Sequence, residues 1–448
     1  MNMLKKYILP FFVFALLGSC AKEELKQVDF SDYNDDNPQT NTELDKWLTS
    51  TFLDEYNMDV VYRYNRYYHD IERNVTPPRL DAVRPTMESV LNGYLLPYRK
   101  VGGPDFIKKM NPKEWILFGS NSYASDGSVY AGTASAGRRV NLYGINNYSA
   151  YGALHVIHHE FVHILNQLVN IPTDFESISK ADYKATWSTT PADTARKYGF
   201  VNPYASGSYT EDYAETAAVL LVKGQAFYDN YANTSSTLGK SKLKQKEANI
   251  ANYFTSNLKV DFRELQKEIQ NYLKSTVYPN DLKFPQYLSR LFKTVTVNFN
   301  DPIYAKYGQT TQLKTAFDGI KAAIAPYGPT DFMQVRFDSN TAATVRFAFT
   351  NNGTQYMADY SFDYTYNSTT GEITFTKVAQ RGTTGSFANA NLFITAFTNF
   401  VQPYFDGKTF NADWLKVDVA GADYNRLAGF YEKGNTANYW YGVLGQTL

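Results

Sequence analysis

Four of the chain's five histidines fall within nine residues, His155-Val156-Ile157-His158-His159-Glu160-Phe161-Val162-His163. No other feature of the 448 residues restricts the fold as strongly. His159-Glu160-Phe161-Val162-His163 is an H-E-x-x-H pattern. The apolar spacing from Tyr148 to Leu168 predicts a long helix around it, stopped by Pro172. On a helix, residues four apart share a face, so both imidazoles can reach one cation. Glu160 sits about 100° round from His159, where its carboxylate can hold a water rather than the metal. The pattern therefore predicts a catalytic zinc, one per chain, with His159 and His163 as ligands and Glu160 as general base. Such a zinc takes three protein ligands and one water, so a third ligand must come from elsewhere in the chain.

That ligand is not a histidine, because none follows His163. The extended motif with a third histidine would need Gly and His at 166 and 169, which are Asn166 and Val169. The stretch Glu211-Asp212-Tyr213-Ala214-Glu215 offers two acids one turn apart on a second predicted helix, with Thr210 as its expected N-cap. This is similar to the gluzincin pattern, in which a second helix supplies a Glu ligand. Glu211 is read as the ligand. Glu215 is read as the acid that accepts a hydrogen bond from a ligand histidine and sets its tautomer. Glu176 is a rival ligand, and an exchange of the roles of Glu211 and Glu215 stays open. A tyrosine can stabilise a developing oxyanion. Tyr204, seven residues before Glu211, is the candidate, with Tyr209 as the alternative. His155 shares the ligand face and is expected to line the cleft or pack at the helix start. His158 points elsewhere and is expected to be structural. His69 is assigned nothing.

The N-terminus reads as an address. Lys5 and Lys6 precede an apolar run from Tyr7 to Leu17 that is short for a membrane span and broken by Pro10. It ends in Leu17-Gly18-Ser19-Cys20, which resembles a lipobox, and Cys20 is the only cysteine. Residues 1–19 are therefore expected to be a lipoprotein signal peptide. Cys20 is the expected lipidated residue, and 20–42 a tether rich in Asn and Asp. A single cysteine excludes an internal disulfide and a Cys-based metal site. Lys plus Arg equals Asp plus Glu at 44 each, which argues against nucleic acid as a partner.

Two further regions follow. Residues 43–278 mix short apolar strands, notably Trp115–Phe118 and Arg139–Tyr143, with helices around 86–96, 242–252 and 262–273. Residues 59–68 read as a strand, and 173–209 as a long irregular, functional loop. Beyond 279 the pattern becomes strand-like at 295–299, 333–337, 343–349, 357–366 and 372–377, with helices over 311–325 and 389–401. The fold class is α+β. A zincin-like domain (mixed sheet, active-site helix and helical lobe) precedes a separate α+β domain rich in antiparallel strands, with no histidine and no catalytic constellation.

The chain resembles the substrate import-associated zinc metallohydrolase lipoproteins of Bacteroidetes, a gluzincin-like family, over residues 20–278. The likeness rests on Cys20, Ile116-Leu117-Phe118-Gly119-Ser120, Gly132-Thr133-Ala134, His159–His163, Pro203-Tyr204-Ala205 and Glu211–Glu215. The spacing of Tyr204 to Glu211 is also similar to that of the lethal-factor type of gluzincin. The resemblance implies a zinc metallopeptidase lipoprotein at the outer-membrane surface. Its partners would be a peptide or protein substrate and a TonB-dependent transporter with its binding lipoprotein. Residues 279–448 are similar to another Bacteroidetes lipoprotein family of unknown function. The competing expectation is a non-catalytic, zinc-containing binding lipoprotein of such an import complex. The segment from Val129 to Ala134 is expected to be an exposed edge that pairs with an extended peptide.

Overall fold

In the computed structural model, residues 41–448 are described apart from 126, 128 and 136. The signal peptide, Cys20 and most of the tether lie outside the described residues. The chain divides into two units, Met1–Trp47 and Leu48–Leu448. Of the first unit only residues 41–47 are described, and the elements that follow belong to the second.

A four-stranded mixed sheet is built from β1 (Asp59–Val61), β2 (Glu114–Leu117), β3 (Gly132–Ser135) and β4 (Arg139–Leu142). Its order is β1-β2-β4-β3. β1, β2 and β4 run parallel, and β3 turns back antiparallel to β4. Trp115, Ile116 and Leu117 are all buried, as expected of a central parallel strand covered on both faces. β3 lies at the sheet edge and leaves one side of its backbone unpaired within the sheet. The strand expected over 59–68 stops at Val61, and Arg66–Tyr68 is instead a 3₁₀ turn capped by the Asn65 side chain. Asn-type caps compete with ladder pairing, which ends the strand.

Helix α1 (Ala150–Leu168) packs on this sheet, capped by Ser149. Its apolar positions Leu154, Ile157, Phe161, Val162, Ile164 and Leu165 are buried. Two glycines let neighbouring chain approach α1 closely. A Cβ on Gly93 would stand 2.5 Å from Leu154 Cδ1, and one on Gly132 would stand 2.4 Å from Val156 Cγ1. His158 is buried on the side away from the cleft, and its Nε2 donates to the Gly93 carbonyl at 3.2 Å. Burial pushes this imidazole down to about 3, so it is a neutral core residue.

The helical lobe follows as α2 (Tyr209–Val222), α3 (Thr237–Asn252) and α4 (Phe262–Thr276). Every α2 residue from Asp212 to Val222 is buried, so this helix is a core element rather than an amphipathic surface one. Its N-cap is Ser208, whose hydroxyl accepts from the Glu211 backbone N–H at 3.2 Å, and not Thr210. The segment 173–209 is not a long irregular loop. It holds short helices at Thr173–Ser179 and Ala192–Lys197 and three 3₁₀ turns.

The C-terminal region is a closed antiparallel barrel of eight strands. They are β5 (Thr294–Asn298), β6 (Pro329–Phe337), β7 (Ala342–Asn351), β8 (Thr354–Tyr366), β9 (Glu372–Lys377), β10 (Thr409–Trp414), β11 (Leu427–Glu432) and β12 (Asn435–Gly445). The first five match the strands expected from sequence. The last three close the barrel by pairing β12 with β5, and closure removes every edge strand. Helix α5 (Thr311–Ile324) matches expectation, whereas 389–401 breaks into short α, 3₁₀ and π turns. The barrel core is dominated by aromatic side chains, including the stacked pairs Tyr360–Phe397 and Phe430–Trp440. The fold is thus α+β, with a strand-rich C-terminal region distinct from the sheet that carries α1.

Candidate metal centre

α1 and α2 face one another across the cleft and bring three side chains to one point. His159 Nε2 and His163 Nε2 are 3.0 Å apart. Glu211 Oε2 stands 3.2 Å from each of them. Two ligand atoms on a tetrahedral zinc, each about 2.0–2.1 Å from the metal, are separated by roughly 3.3 Å. The triangle has the size a zinc requires, and the three donors form the one His/Cys/Asp/Glu group among the described residues whose atoms converge in this way. Two imidazoles and a carboxylate are also a donor set that suits zinc.

The acid one turn along α2 faces the other nitrogen of the first imidazole. Glu215 Oε1 lies 2.8 Å from His159 Nδ1. Its Oε2 accepts from His155 Nε2 at 3.2 Å and from the Asn202 side-chain amide at 2.5 Å. This arrangement leaves His159 Nε2 free to point at the centre. Glu215 is buried with 6% exposure, so its partners, not water, set its orientation. The geometry distinguishes the two acids: Glu211 joins both histidines, and Glu215 backs one of them. Glu176 is half exposed, pairs with Lys180 at 3.5 Å and is not in the group. His69 bonds to the Tyr64 hydroxyl at 2.9 Å and packs on Phe118, also outside it.

Glu160 follows His159 on α1 and is buried beside β3. Burial raises its pKa above the ordinary carboxylate value, against the opposing pull of His159, His163 and the Ala134 backbone amide. Gly132 is needed here, since a side chain would meet Val156 and stand 3.2 Å from Glu160 Oε1. Burial alone would push Glu211 and Glu215 upward in the same way. Their bonds to the histidines outweigh it and hold both well below the carboxylate range. His159 answers in kind. Burial disfavours its charged form, but Glu211 and Glu215 raise it to about 10. So dense a set of opposed carboxylates and imidazoles is the signature of a site that accommodates positive charge.

Tyr204 lies on the facing turn. Its ring is 5.9 Å from the His159 ring and 4.9 Å from Trp187, and burial beside the Glu211 carboxylate raises its pKa. Tyr209 borders the same cleft but is 39% exposed. Of the two tyrosines, Tyr204 is therefore the one brought against the centre. The cleft extends to both sides. One side, of about 760 Å³, is lined by polar groups such as Asn166, Gln167, Asn170 and Thr210. The other, of about 720 Å³, is lined by Val129, Tyr130, His155, Val156 and Trp187. Both include Gly132 of the edge strand.

Two sets of residues that sequence reasoning passed over support this centre. Asn202 bonds Glu215 and also accepts from the Ala205 backbone N–H at 2.8 Å, tying the Tyr204 turn to α2. Asp212, beside Glu211, forms a wholly buried ion pair with Lys246 of α3 at 2.7 Å. The Tyr183 hydroxyl donates to the same carboxylate at 2.9 Å, and Lys246 donates to the Gly199 carbonyl at 2.7 Å. An acid one residue from an expected ligand is the signal by which Asp212 could have been found. Nothing in the spacing pointed to Lys246.

Fold and site together define a helix-borne metal centre beside an edge strand, the arrangement of a metallopeptidase. The family model described as a putative zinc-binding metallo-peptidase matches residues 37–263, just over half of the chain, and the chain belongs to that family. A solved structure of a putative zinc-binding metallo-peptidase from Bacteroides caccae is similar to it. The identity is 30%, over 53% of this chain and 94% of that one, with a TM-score of 0.45. No curated protein matches the chain.

Proposed function

We propose that the protein is a gluzincin-type zinc peptidase, with one zinc per chain held by His159, His163 and Glu211. The observation that carries this reading is the triangle of two imidazole nitrogens and one carboxylate oxygen, each within 3.2 Å of the others. Zinc in that position supplies Lewis acidity to the scissile carbonyl and acidifies a water. Glu160 accepts the proton of the attacking water as its oxygen bonds to the carbonyl carbon. It then delivers that proton to the leaving amine as the C–N bond breaks. The raised pKa of Glu160 suits both halves of this exchange. Tyr204 donates a hydrogen bond to the oxyanion. Glu215 holds His159 in the tautomer that presents Nε2. The unpaired side of β3 takes an extended peptide as an added strand across the cleft.

The proposal extends to the cellular setting. Leu17-Gly18-Ser19-Cys20 supports a lipid anchor on Cys20 and an outer-membrane, surface-exposed protein. No helix among the described residues is long and apolar enough to cross a membrane. The resemblance to import-associated lipoproteins supports work beside a TonB-dependent transporter and its binding lipoprotein. The test is zinc analysis of the chain beside Glu211→Gln, followed by peptide-library cleavage by wild type and Glu160→Gln. One zinc per chain, lost in Glu211→Gln, with cleavage lost in Glu160→Gln, is expected. A metal-replete protein that binds no zinc would sink the enzyme reading.

A further inference from the structure

The two arms of the cleft differ in chemistry, and both contain His159, Glu160 and Tyr204, so the metal centre lies where they meet. We propose, on the basis of the zinc-peptidase reading, that the protein cleaves interior peptide bonds and selects a large aromatic side chain on one side of the bond. That side chain sits between Trp187, Tyr130 and Val156, and Trp187 is the specificity-determining residue.

Three apolar groups are fixed around the 720 Å³ arm without filling it. Trp187 opens the 3₁₀ turn Trp187–Thr189, and its ring packs edge-on against Tyr204 with centroids 4.9 Å apart. Gly207 makes room for it, since a Cβ there would stand 3.0 Å from Trp187 Cδ1. The indole is nonetheless only half-buried. Tyr130 is held by the Arg73 guanidinium, 3.6 Å from its ring centroid, yet stays 44% exposed. Val156, three residues before His159 on α1, packs against Gly132 of β3 and is also half-buried. Each of the three thus has a rigid backing and keeps part of its surface in water. The opposite arm is walled instead by Asn166, Gln167, Asn170 and Thr210.

Apolar surface held in water around a concavity favours an apolar guest, because both partners are desolvated together. Rigid aromatic walls favour an aromatic guest, ring against ring. Tyr204 links Trp187 to His159 ring to ring, at 4.9 and 5.9 Å, so a side chain resting on Trp187 belongs to a residue beside the cleaved bond. Successive residues of an extended chain are about 3.3 Å apart and point to opposite faces. In a chain lying along β3, the two residues that flank the bond therefore meet different arms. Each arm, at about 760 and 720 Å³, is the size of a site for a drug-sized molecule and exceeds what one residue needs. Chain is accommodated on both sides of the centre, which fits an interior bond.

The test is digestion of a short-peptide library, with acetylated N-termini and amidated C-termini, by the full zinc-loaded chain. The same library with free ends is digested beside it, and cut sites are read by mass spectrometry. Blocked and free peptides are expected to be cut alike, with Phe, Tyr or Trp enriched at one position beside the bond. Phe is expected to exceed Ser there roughly 10–100-fold in kcat/KM. Trp187→Ala is expected to retain zinc and to lower this Phe-to-Ser ratio about tenfold. A fall shared equally by both peptides would act through Tyr204 and would overturn the role of Trp187. Cleavage by wild type with Phe and Ser equal at both flanking positions overturns the aromatic selection, leaves the peptidase reading standing and needs no variant. Cleavage confined to free-ended peptides overturns the interior-bond assignment. Cleavage of no peptide in either library overturns the peptidase reading and the selection with it.

Discussion

Replacing Lys246 by Met tests how the helix that carries Glu211 is held in place. Lys246 and Asp212 are both fully buried, so neither charge has water to fall back on. Methionine keeps the apolar stem and its packing on Phe200, which lies 4.1 Å from the ammonium. What disappears is the charge, along with the donor to the Gly199 carbonyl. Asp212 then retains the Tyr183 hydroxyl at 2.9 Å and the Thr216 hydroxyl at 3.3 Å but no cation. Stranding one partner of a buried pair costs about 3–5 kcal/mol. At the surface, Lys314→Met breaks the exposed pair with Asp318 and should cost at most about 1 kcal/mol. Adding Asp212→Asn to Lys246→Met removes the stranded charge, so the double variant should be more stable than Lys246→Met alone.

The pH dependence has a definite sign. Burial already raises the Asp212 pKa against the pull of Lys246. Without the lysine it rises further above its unfolded value. The folded variant then binds that proton more tightly than the unfolded chain does. Lowering pH between the two values recovers up to about 1.4 kcal/mol per unit. Urea unfolding at several pH values, with amide exchange of α2 read by mass spectrometry, measures both effects. A Lys246→Met deficit no larger than that of Lys314→Met, or a double variant worse than the single, would refute the reasoning.

Glu215→Gln should lower zinc affinity about 10–100-fold while leaving the fold intact, measured by competition with a chromogenic chelator. Gly132→Ala should destabilise by about 1–3 kcal/mol, because its Cβ would sit 2.4 Å from Val156 Cγ1; thermal unfolding at the wild-type midpoint would contradict the close packing of β3 on α1. Ala134→Pro removes the backbone amide whose pull opposes the raised pKa of Glu160, so the acidic limb of the pH–rate profile should move to higher pH; a fixed limb would separate Glu160 from that limb. Tyr204→Phe should cut kcat about 10²–10³-fold with KM nearly unchanged, and a change confined to KM would make Tyr204 a binding residue only.

The pairing of His159 with His163 was legible in the sequence because it depends on a helical period alone, and a helix places residues four apart on one face whatever surrounds it. The same is true of Glu160, and of the absence of a third histidine. That His158 is structural followed from its position off that face, whereas its neutrality follows from its burial. The strands 329–337 through 372–377 were legible from alternation and turn residues. Their closure into a barrel was not, because β12 meets β5 across about 140 residues of chain and pairing at that distance leaves no local periodicity. Residues 173–209 read as irregular because their helices are short turns held by tertiary contacts rather than by amphipathic repeats. Sequence also could not separate Glu211 from Glu215. They share a helix face, and only the placement of α2 against α1 puts one carboxylate between two Nε2 atoms and the other behind Nδ1. Asn202 and Lys246 belong to the same class. Each acts through a partner 13 or 34 residues away, at a distance set by how the helices pack. Local periodicity thus determined which groups this protein can offer a metal. The packing of α2 and α3 decided their geometry, because a side chain's reach is fixed by its own helix but its partner is chosen by the fold.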